Sequence, residues 1–321
     1  MFALDALYVV LGLGILLLAG DVLVRGAVNM SLRLGIPALI VGLTVVAFGT
    51  SAPELLVSVQ AVLVGAPGLA LGNVVGSNIA NILLVLGVPA LISAVTVNGP
   101  ELRRSYLTML AATALFVGLA FAGPITRWHA AILLGALFLM LADNVRTARA
   151  HRNGASPEPL EGADPHMPWI KIAMFIGLGV IGLPLGADLL VDGSVAIAQR
   201  LGVDDVLIGL TLVAVGTSLP ELATTVIAAI RREAGVAMGN VIGSNVFNLL
   251  GIIGVAGLVG PLPVPPLMLQ FDLWVMTGAA LVLAPFLWRS VPITRGWGLG
   301  LLVLYAAYLV ALIRLAGPAA S

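Results

Sequence analysis

Gly49-Thr50-Ser51-Ala52-Pro53-Glu54 and Gly72-Asn73-Val74-Val75-Gly76-Ser77-Asn78-Ile79-Ala80-Asn81 each occur twice in this chain. The second copies are Gly216-Thr217-Ser218-Leu219-Pro220-Glu221 and Gly239-Asn240-Val241-Ile242-Gly243-Ser244-Asn245-Val246-Phe247-Asn248, both at an offset of 167 residues. Around them, residues 21–91 match 188–258 without a gap at roughly 45% identity. Each copy places a carboxylate, hydroxyls and amides inside apolar stretches long enough to cross a bilayer. Polar groups at that depth are costly, so their repetition points to one site built from both halves.

The composition agrees. Of 321 residues, 60% are hydrophobic and 9% charged, against about a quarter charged in a soluble domain. This is the composition of an all-α polytopic membrane protein, and no stretch alternates with the period of two that an outer-membrane barrel requires. A formal net charge of zero offers no basic surface to nucleic acid. The absence of cysteine excludes disulfides and thiolate metal sites. The N-terminal stretch lacks a basic n-region and a clear cleavage site and is expected to be the first span.

A crossing helix needs about 20 apolar residues, and ten stretches qualify: 5–25, 37–63, 69–92, 104–122, 128–147, 170–190, 204–229, 236–259, 268–288 and 296–315. Alternating the connections between two sides gives one side Arg25, Arg33, Arg103, Arg104, Arg146, Arg149, Arg152, Lys171, Arg231, Arg232, Arg289 and Arg295. The other side receives Arg127, Arg200 and Arg314. That asymmetry puts both termini outside and the polar, Pro- and Gly-containing linker 148–169 in the cytoplasm. The expected organisation is a first five-helix repeat (1–147), the linker (148–169) and a second five-helix repeat (170–321). Five is odd, so the two repeats insert with opposite topology, an architecture common among secondary transporters.

Within the second span, Ala47, Thr50, Ser51 and Glu54 fall at i, i+3, i+4 and i+7 and share a helical face. Pro53 has no N–H, so the carbonyl of Gly49 loses its donor and the helix opens there. Ala214, Thr217, Ser218, Glu221 and Pro220 repeat the arrangement in the seventh span. In the third span Asn73, Ser77 and Asn81 share a face, as do Asn240, Ser244 and Asn248 in the eighth. Interleaved with them run Gly68, Gly72 and Gly76, then Gly235, Gly239 and Gly243, a four-residue spacing that lets backbones approach closely.

An all-oxygen donor set suits hard cations, Ca2+ with its 6–8 oxygens above all, and Na+. His129, His151 and His166 lie at span edges or in the linker, so zinc or copper is not expected. No Arg or Lys falls near the middle of a span, which leaves the two glutamates without a protein counter-charge. The remaining acidic residues read as structural: Asp21 and Arg25 pair at i, i+4, Asp188 has Asp192 in place of that partner, Asp204, Asp205 and Glu233 are loop residues, and Glu101, Asp143 and Asp272 lie near span ends.

These paired blocks resemble the two α-repeats of the Na+/Ca2+ exchangers, within the cation/Ca2+ exchanger superfamily, and the resemblance extends over the ten-span layout. It implies two inverted five-helix halves around a central four-site ion centre. Carried over by position, it puts Glu54, Glu221 and the carbonyls of Thr50 and Thr217 at a Ca2+ site. Ala47, Ser51 and Ser77 fall around one Na+ position and Ala214, Ser218 and Ser244 around its mirror, with Asn81 and Asn248 at the centre. Several related exchangers, K+-dependent ones included, carry Asp at one of those two central places, where this chain has Asn in both. The GNxxE-type repeat usual in the proton-coupled branch is absent.

The reading that follows is a secondary active antiporter of the inner or plasma membrane. It exchanges Na+ for Ca2+ by alternating access, with the Gly-rich first and sixth spans as the moving element. Ca2+ or several Na+ discharge the two buried carboxylates, and only the neutralised centre crosses. No cofactor is expected, no phosphate-binding GxxxxGK[ST] loop is present, and one chain carrying both repeats is expected to work as a monomer. The alternative is a Ca2+/H+ or other cation/H+ antiporter on the same scaffold, because a buried glutamate can carry a proton. An intramembrane enzyme would need a nucleophile with its base or a metal centre, and Ser51 and Ser218 have neighbouring glutamates but no His or Lys at depth. A channel fits poorly with an inverted repeat and no ring symmetry.

Overall fold

The computed structural model describes residues 2–95, 99–152, 164, 166–201 and 214–316. Its elements are helical: α1 (Phe2–Leu34), α2 (Ala38–Thr50), α3 (Ala52–Leu63), α4 (Pro67–Ile92), α5 (Pro100–Ala122), α6 (Arg127–Arg152), α7 (Trp169–Arg200), α8 (Ala214–Gly216), α9 (Leu219–Ile230), α10 (Ala234–Val259), α11 (Met268–Arg289) and α12 (Arg295–Ala316). Among the described residues, eight of these helices are long and apolar enough to cross a membrane. The bent pair α2 and α3 makes a ninth if taken as one span. The first half of the predicted span 204–229 lies outside the described residues, as do Asp204 and Asp205, and its second half is α8 and α9. Residues 153–163 and 165 of the predicted linker lie outside them too, while α6 runs five residues beyond the expected end at 147.

Burial sorts the helices into two classes. In the most apolar windows of α4 and α10, 72% and 89% of residues are buried, against 17–44% in the other long helices. The two asparagine-bearing helices are therefore enclosed by protein, where their amides meet other polar groups instead of lipid. The outer helices turn large apolar side chains outward: Val10 and Leu18 on α1, Phe138 and Leu139 on α6, Ile170 and Ile181 on α7, Val303 on α12. That is the surface expected of a protein solvated by hydrocarbon.

The second glycine row works as the spacing predicts. A Cβ on Gly239 would lie 2.5 Å from the carbonyl of Leu39 and one on Gly243 would lie 2.6 Å from the carbonyl of Leu43. The backbones of α10 and α2 therefore pack with nothing between them. The counterparts of Leu39 and Leu43 at the repeat offset, residues 206 and 210, lie outside the described residues.

Helices α1 and α7 form a long antiparallel pair. Gly12, early in α1, meets Leu190, late in α7, and Gly26 meets Ile176. A Cβ on Gly12 would come within 2.5 Å of the Leu190 nitrogen, and one on Gly179 within 2.5 Å of the Leu23 Cβ. Asp5 and Arg200 close one end of the pair at 2.7 Å. With 33 and 32 residues at about 1.5 Å each, both helices approach roughly 50 Å, well beyond the roughly 30 Å hydrocarbon core. The expected spans 5–25 and 170–190 were too short, because the helices continue through amphipathic turns that hydropathy does not register. Within the expected span 5–25, Asp21 and Arg25 make the expected pair at 3.0 Å. Arg231, at the end of α9, joins Asp21 as well, so a residue expected only in a loop ties α9 to α1.

The two halves also interlock through their loops. Val95 exchanges backbone hydrogen bonds with Ile293 at 3.1 and 2.9 Å, and Ile125 does so with Leu262 at 2.9 and 3.0 Å. Tyr106 on α5 donates to the carbonyl of Ala280 on α11 at 2.9 Å.

The α1–α7 contact predicts a contrast between two glycines two residues apart. Gly12→Ala should lower stability by about 1–3 kcal/mol through overpacking, whereas Gly14, with nothing within 4 Å of an added Cβ, should accept alanine with a change of about 0.5 kcal/mol or less. Thermal unfolding of the detergent-purified variants checks this.

Candidate ion-binding centre

The centre is made where two helices break. Ser51, between α2 and α3, has φ −85° and ψ 4°, and the axes turn by 44°. Ser218, between α8 and α9, has φ −89° and ψ 3°. The cause is the same in both copies. Pro53 and Pro220 occupy the first turn of the following helix, where a missing N–H is harmless, but they deprive the carbonyls of Gly49 and Gly216 of their donors. The chain resumes with Leu55 N–H donating to Ser51 O at 3.2 Å and Leu222 N–H to Ser218 O at 3.0 Å. Each break presents a Thr-Ser pair and, one turn on, a glutamate.

Glu54 and Glu221 are 1% and 0% exposed. Among the described residues neither has a cationic side chain in salt-bridge range; the ion pairs join Asp21 to Arg25 and Arg231, Arg104 to Asp143, and Asp5 to Arg200. Leaving two carboxylates together in that state would cost several kcal/mol each if ionised.

The hydrogen bonds that shape the centre cross between the halves. Ser51 Oγ donates to Glu221 Oε1 at 3.0 Å, an oxygen that Ser244 Oγ of the same half also reaches at 3.4 Å. Thr50 Oγ1 donates to Asn240 Oδ1 at 3.1 Å. Asn81 Nδ2 donates to Asn245 Oδ1 at 3.1 Å. Within each half an asparagine fixes the start of the glutamate helix: Asn73 Nδ2 donates to Glu54 O at 3.3 Å and to Ser58 Oγ at 3.0 Å, and Asn240 Nδ2 donates to Glu221 O at 3.3 Å and to Thr225 Oγ1 at 3.0 Å. The same two bonds recur 167 residues apart, with the same lengths.

Several buried polar atoms here have no protein partner: Glu54 Oε2, Glu221 Oε2, Ser218 Oγ, Asn81 Oδ1, and both Oδ1 and Nδ2 of Asn248. Buried polar groups are nearly always paired, and each orphan costs about 1–3 kcal/mol. All belong to residues singled out from the sequence. The donors are oxygens of carboxylate, hydroxyl and amide, the chemistry of a hard cation. No cluster of three or more His, Cys, Asp or Glu suited to a metal occurs among the described residues.

The other predicted residues fall nearby in the fold. Ala47 is fully buried against Gly243, and its carbonyl accepts from Ser51 N–H at 3.0 Å and Thr50 Oγ1 at 3.3 Å. Ser77 is buried on α4, one turn before Asn81. Ala214 opens α8, and Thr217 lies in the turn that follows it.

Sequence reasoning missed two features. Asn78 and Asn245, both 2% exposed, are off the face shared by Asn73, Ser77 and Asn81, yet they reach across the centre. Their partners include Met276 and Met109, themselves 167 residues apart, and that offset was the available signal. The second feature is a widened helical turn beside each central asparagine. Phe247–Ile252 is π-helical and contains Asn248, and the counterpart of Phe247, Ala80, accepts the five-residue bond from Val85 N–H at 2.9 Å. Such bulges concentrate at functional sites.

Comparison with known proteins follows the same lines. The family described as sodium/calcium exchanger protein matches residues 4–143 and 171–314. The sodium/calcium exchanger MaX1 of Methanosarcina acetivorans is 34% identical over 97% of this chain and 99% of its own length. The inner membrane protein YrbG of Escherichia coli is 35% identical over 92% of this chain and 91% of its own. A solved structure of the sodium-calcium exchanger NCX_Mj, soaked with Na+ and Sr2+, superposes with a TM-score of 0.83 at 33% identity, over 97% of this chain and 99% of that one.

The asparagines that clamp the glutamate helices give a graded expectation. Asn240 is fully buried and also accepts from Thr50, whereas Asn73 is partly exposed. Asn240→Ala should therefore destabilise the ion-free protein by about 1–3 kcal/mol, and Asn73→Ala by less. Melting temperatures in ion-free detergent solution test the order.

Proposed function

Because this chain belongs to the sodium/calcium exchanger protein family, we propose that it is a Na+-driven Ca2+ antiporter working by alternating access. That it is an integral membrane exchanger of cations, Ca2+ among them, follows from the family; the coupling ion and the site are our assignment. The observation that carries the assignment is the group of unpartnered buried oxygens on Glu54, Glu221, Ser218 and Asn81, with the Asn248 amide beside them.

In this reading Glu54 and Glu221, with the carbonyls of Thr50 and Thr217 beside the two breaks, hold Ca2+. Ala47, Ser51 and Ser77 surround one Na+ position, Ala214, Ser218 and Ser244 its mirror, and Asn81 and Asn248 border the centre. One Ca2+ matches the combined charge of the two carboxylates. Several Na+ reach the same neutrality with neutral oxygens completing their shells. The competition of the two ions for one pair of carboxylates is the coupling. An unneutralised pair is too costly to carry through a closed, water-excluding intermediate.

The repeat pattern and the arginine asymmetry support ten spans in two inverted five-helix repeats (1–147 and 170–321), both termini outside and the 148–169 linker in the cytoplasm of a cell with this protein in its inner or plasma membrane. The α1–α7 pair, packed glycine to backbone along its length and exposed to lipid on its outer side, is suited to slide as one body past the centre. A single chain holds a complete centre and is sufficient for transport.

Proteoliposomes loaded with Na+ and diluted into Na+-free buffer should take up radioactive Ca2+ without a pH gradient. Uptake that follows only a pH gradient would instead establish the proton-coupled antiporter. Glu54→Gln and Glu221→Gln should each reduce Na+-driven uptake to background while the protein still purifies as a folded monodisperse species. Normal uptake by either variant would overturn the site.

A further inference from the structure

Asn78 and Asn245 lie outside the donor set just proposed. Both are nearly fully buried, and each extends from one half of the chain into the other. Asn78 Nδ2 donates to the backbone carbonyl of Asn245 at 3.3 Å and points to the Met276 sulfur at 3.9 Å. Asn245 Nδ2 points to the Met109 sulfur at 3.6 Å, and Asn245 Oδ1 accepts from Asn81 Nδ2 at 3.1 Å. Met109 and Met276 are 0% and 2% exposed. A carboxamide has two donors on one end and an acceptor on the other. Held at its nitrogen by Met109, Asn245 is obliged to turn its oxygen to Asn81. Asn81, held at its own nitrogen, then turns its unpartnered oxygen away from Asn245.

The repeat offset names the mirror contact: Asn78 Oδ1 accepting from Asn248 Nδ2. That bond is not made. Asn78 Oδ1 and both polar atoms of the Asn248 side chain are buried without partners. The same asymmetry separates the Ser51–Glu221 bond, which is made, from its mirror, Ser218 and Glu54, where Ser218 Oγ and Glu54 Oε2 lack partners. The amide contact and the carboxylate contact are thus each made once and left open at the repeat-related place.

We propose that Asn245 with Met109 is a positioning pair that aims the carboxamide of Asn81 at the transported ion, and that Asn78 with Met276 supports it by holding the Asn245 backbone and stands in the mirror place beside Asn248, whose bond is not made in this arrangement. They set apparent ion affinity without touching the ion, and each methionine acts as the soft acceptor that fixes its asparagine in one orientation. The inference rests on the ion-centre reading above, and it adds four residues to it.

Met→Leu keeps volume and removes the acceptor, so it separates positioning from packing. Ca2+ added to detergent-purified, Na+-free protein should raise the melting temperature saturably. Met109→Leu should raise the half-saturating Ca2+ concentration about threefold with the ion-free melting temperature unchanged, because Asn245 Nδ2 loses its acceptor. Met276→Leu should have a smaller effect, since Asn78 keeps the Asn245 carbonyl. Asn245→Ala should raise half-saturation about tenfold, about 1.4 kcal/mol, and Asn78→Ala should act in the same direction. Wild-type half-saturation in both Met→Leu variants overturns the inference even if the Ala variants fail to fold. An effect on the ion-free melting temperature alone, with half-saturation unchanged, does so too. A wild-type protein indifferent to both Ca2+ and Na+ overturns the ion-centre reading and this inference with it.

Discussion

Two carboxylates with no protein counter-charge, enclosed by helices that are themselves enclosed by helices, are the constraint on which the rest of this molecule depends. Glu54 and Glu221 sit deeper than any other acidic residue of the described chain, and none of the ion pairs includes them. The fold surrounds the pair with hydroxyl, amide and carbonyl groups and, among the described residues, sets no opposite charge beside it. Broken helices supply the carbonyls, the serines beside the breaks supply hydroxyls, and the asparagine helices α4 and α10 supply amides. The outer helices then separate this polar interior from lipid.

Glycine makes that enclosure possible at two scales. Between α10 and α2 it removes side chains so that the asparagine-bearing backbone lies directly on the helix that carries Ala47 and Thr50. Between α1 and α7 it does the same over a contact running nearly the length of both helices. In the first place close approach serves the position of ligands. In the second it brings two long apolar helices into backbone contact along their length, held together by close van der Waals packing.

The two halves are near copies in sequence but not in hydrogen bonding. The clamps of Asn73 and Asn240 on the glutamate helices recur with equal lengths, so the rigid part of each half is the same. The contacts across the centre differ: those of Ser51 and Asn81 with the other half are made, and those of Ser218 and Asn248 are not. Near-identical sequence in the two copies therefore does not impose equal contacts at the centre.

Much of this was legible in the sequence because the bilayer restricts what a chain can do. Apolar length marked the long helices, and a proline two residues after Ser51 and Ser218 marked the breaks, since a missing N–H acts wherever the helix is. The repeat offset, applied to residue types that lipid penalises, picked out the orphaned atoms of Glu54, Glu221, Ser218, Asn81 and Asn248, though not those of Asn78 and Thr224. Helix ends were misjudged in α1, α6 and α7, where polar turns continue the backbone beyond the apolar stretch and hydrogen bonds within the chain ignore hydropathy. Asn78, Asn245, Met109 and Met276 were not separable from packing residues, because a face on one helix says nothing about what a second helix brings to it.

The sequence by itself determined the class of protein, the paired motifs and the oxygen-only chemistry, all of which follow from local covalent structure and from the cost of polarity in hydrocarbon. Only the tertiary structure decided which hydroxyl meets which carboxylate, that Arg231 ties α9 to Asp21, and which of the repeat-related contacts is made. Those depend on distances between residues some 170 positions apart, set by the packing of glycine faces, and no local pattern carries them.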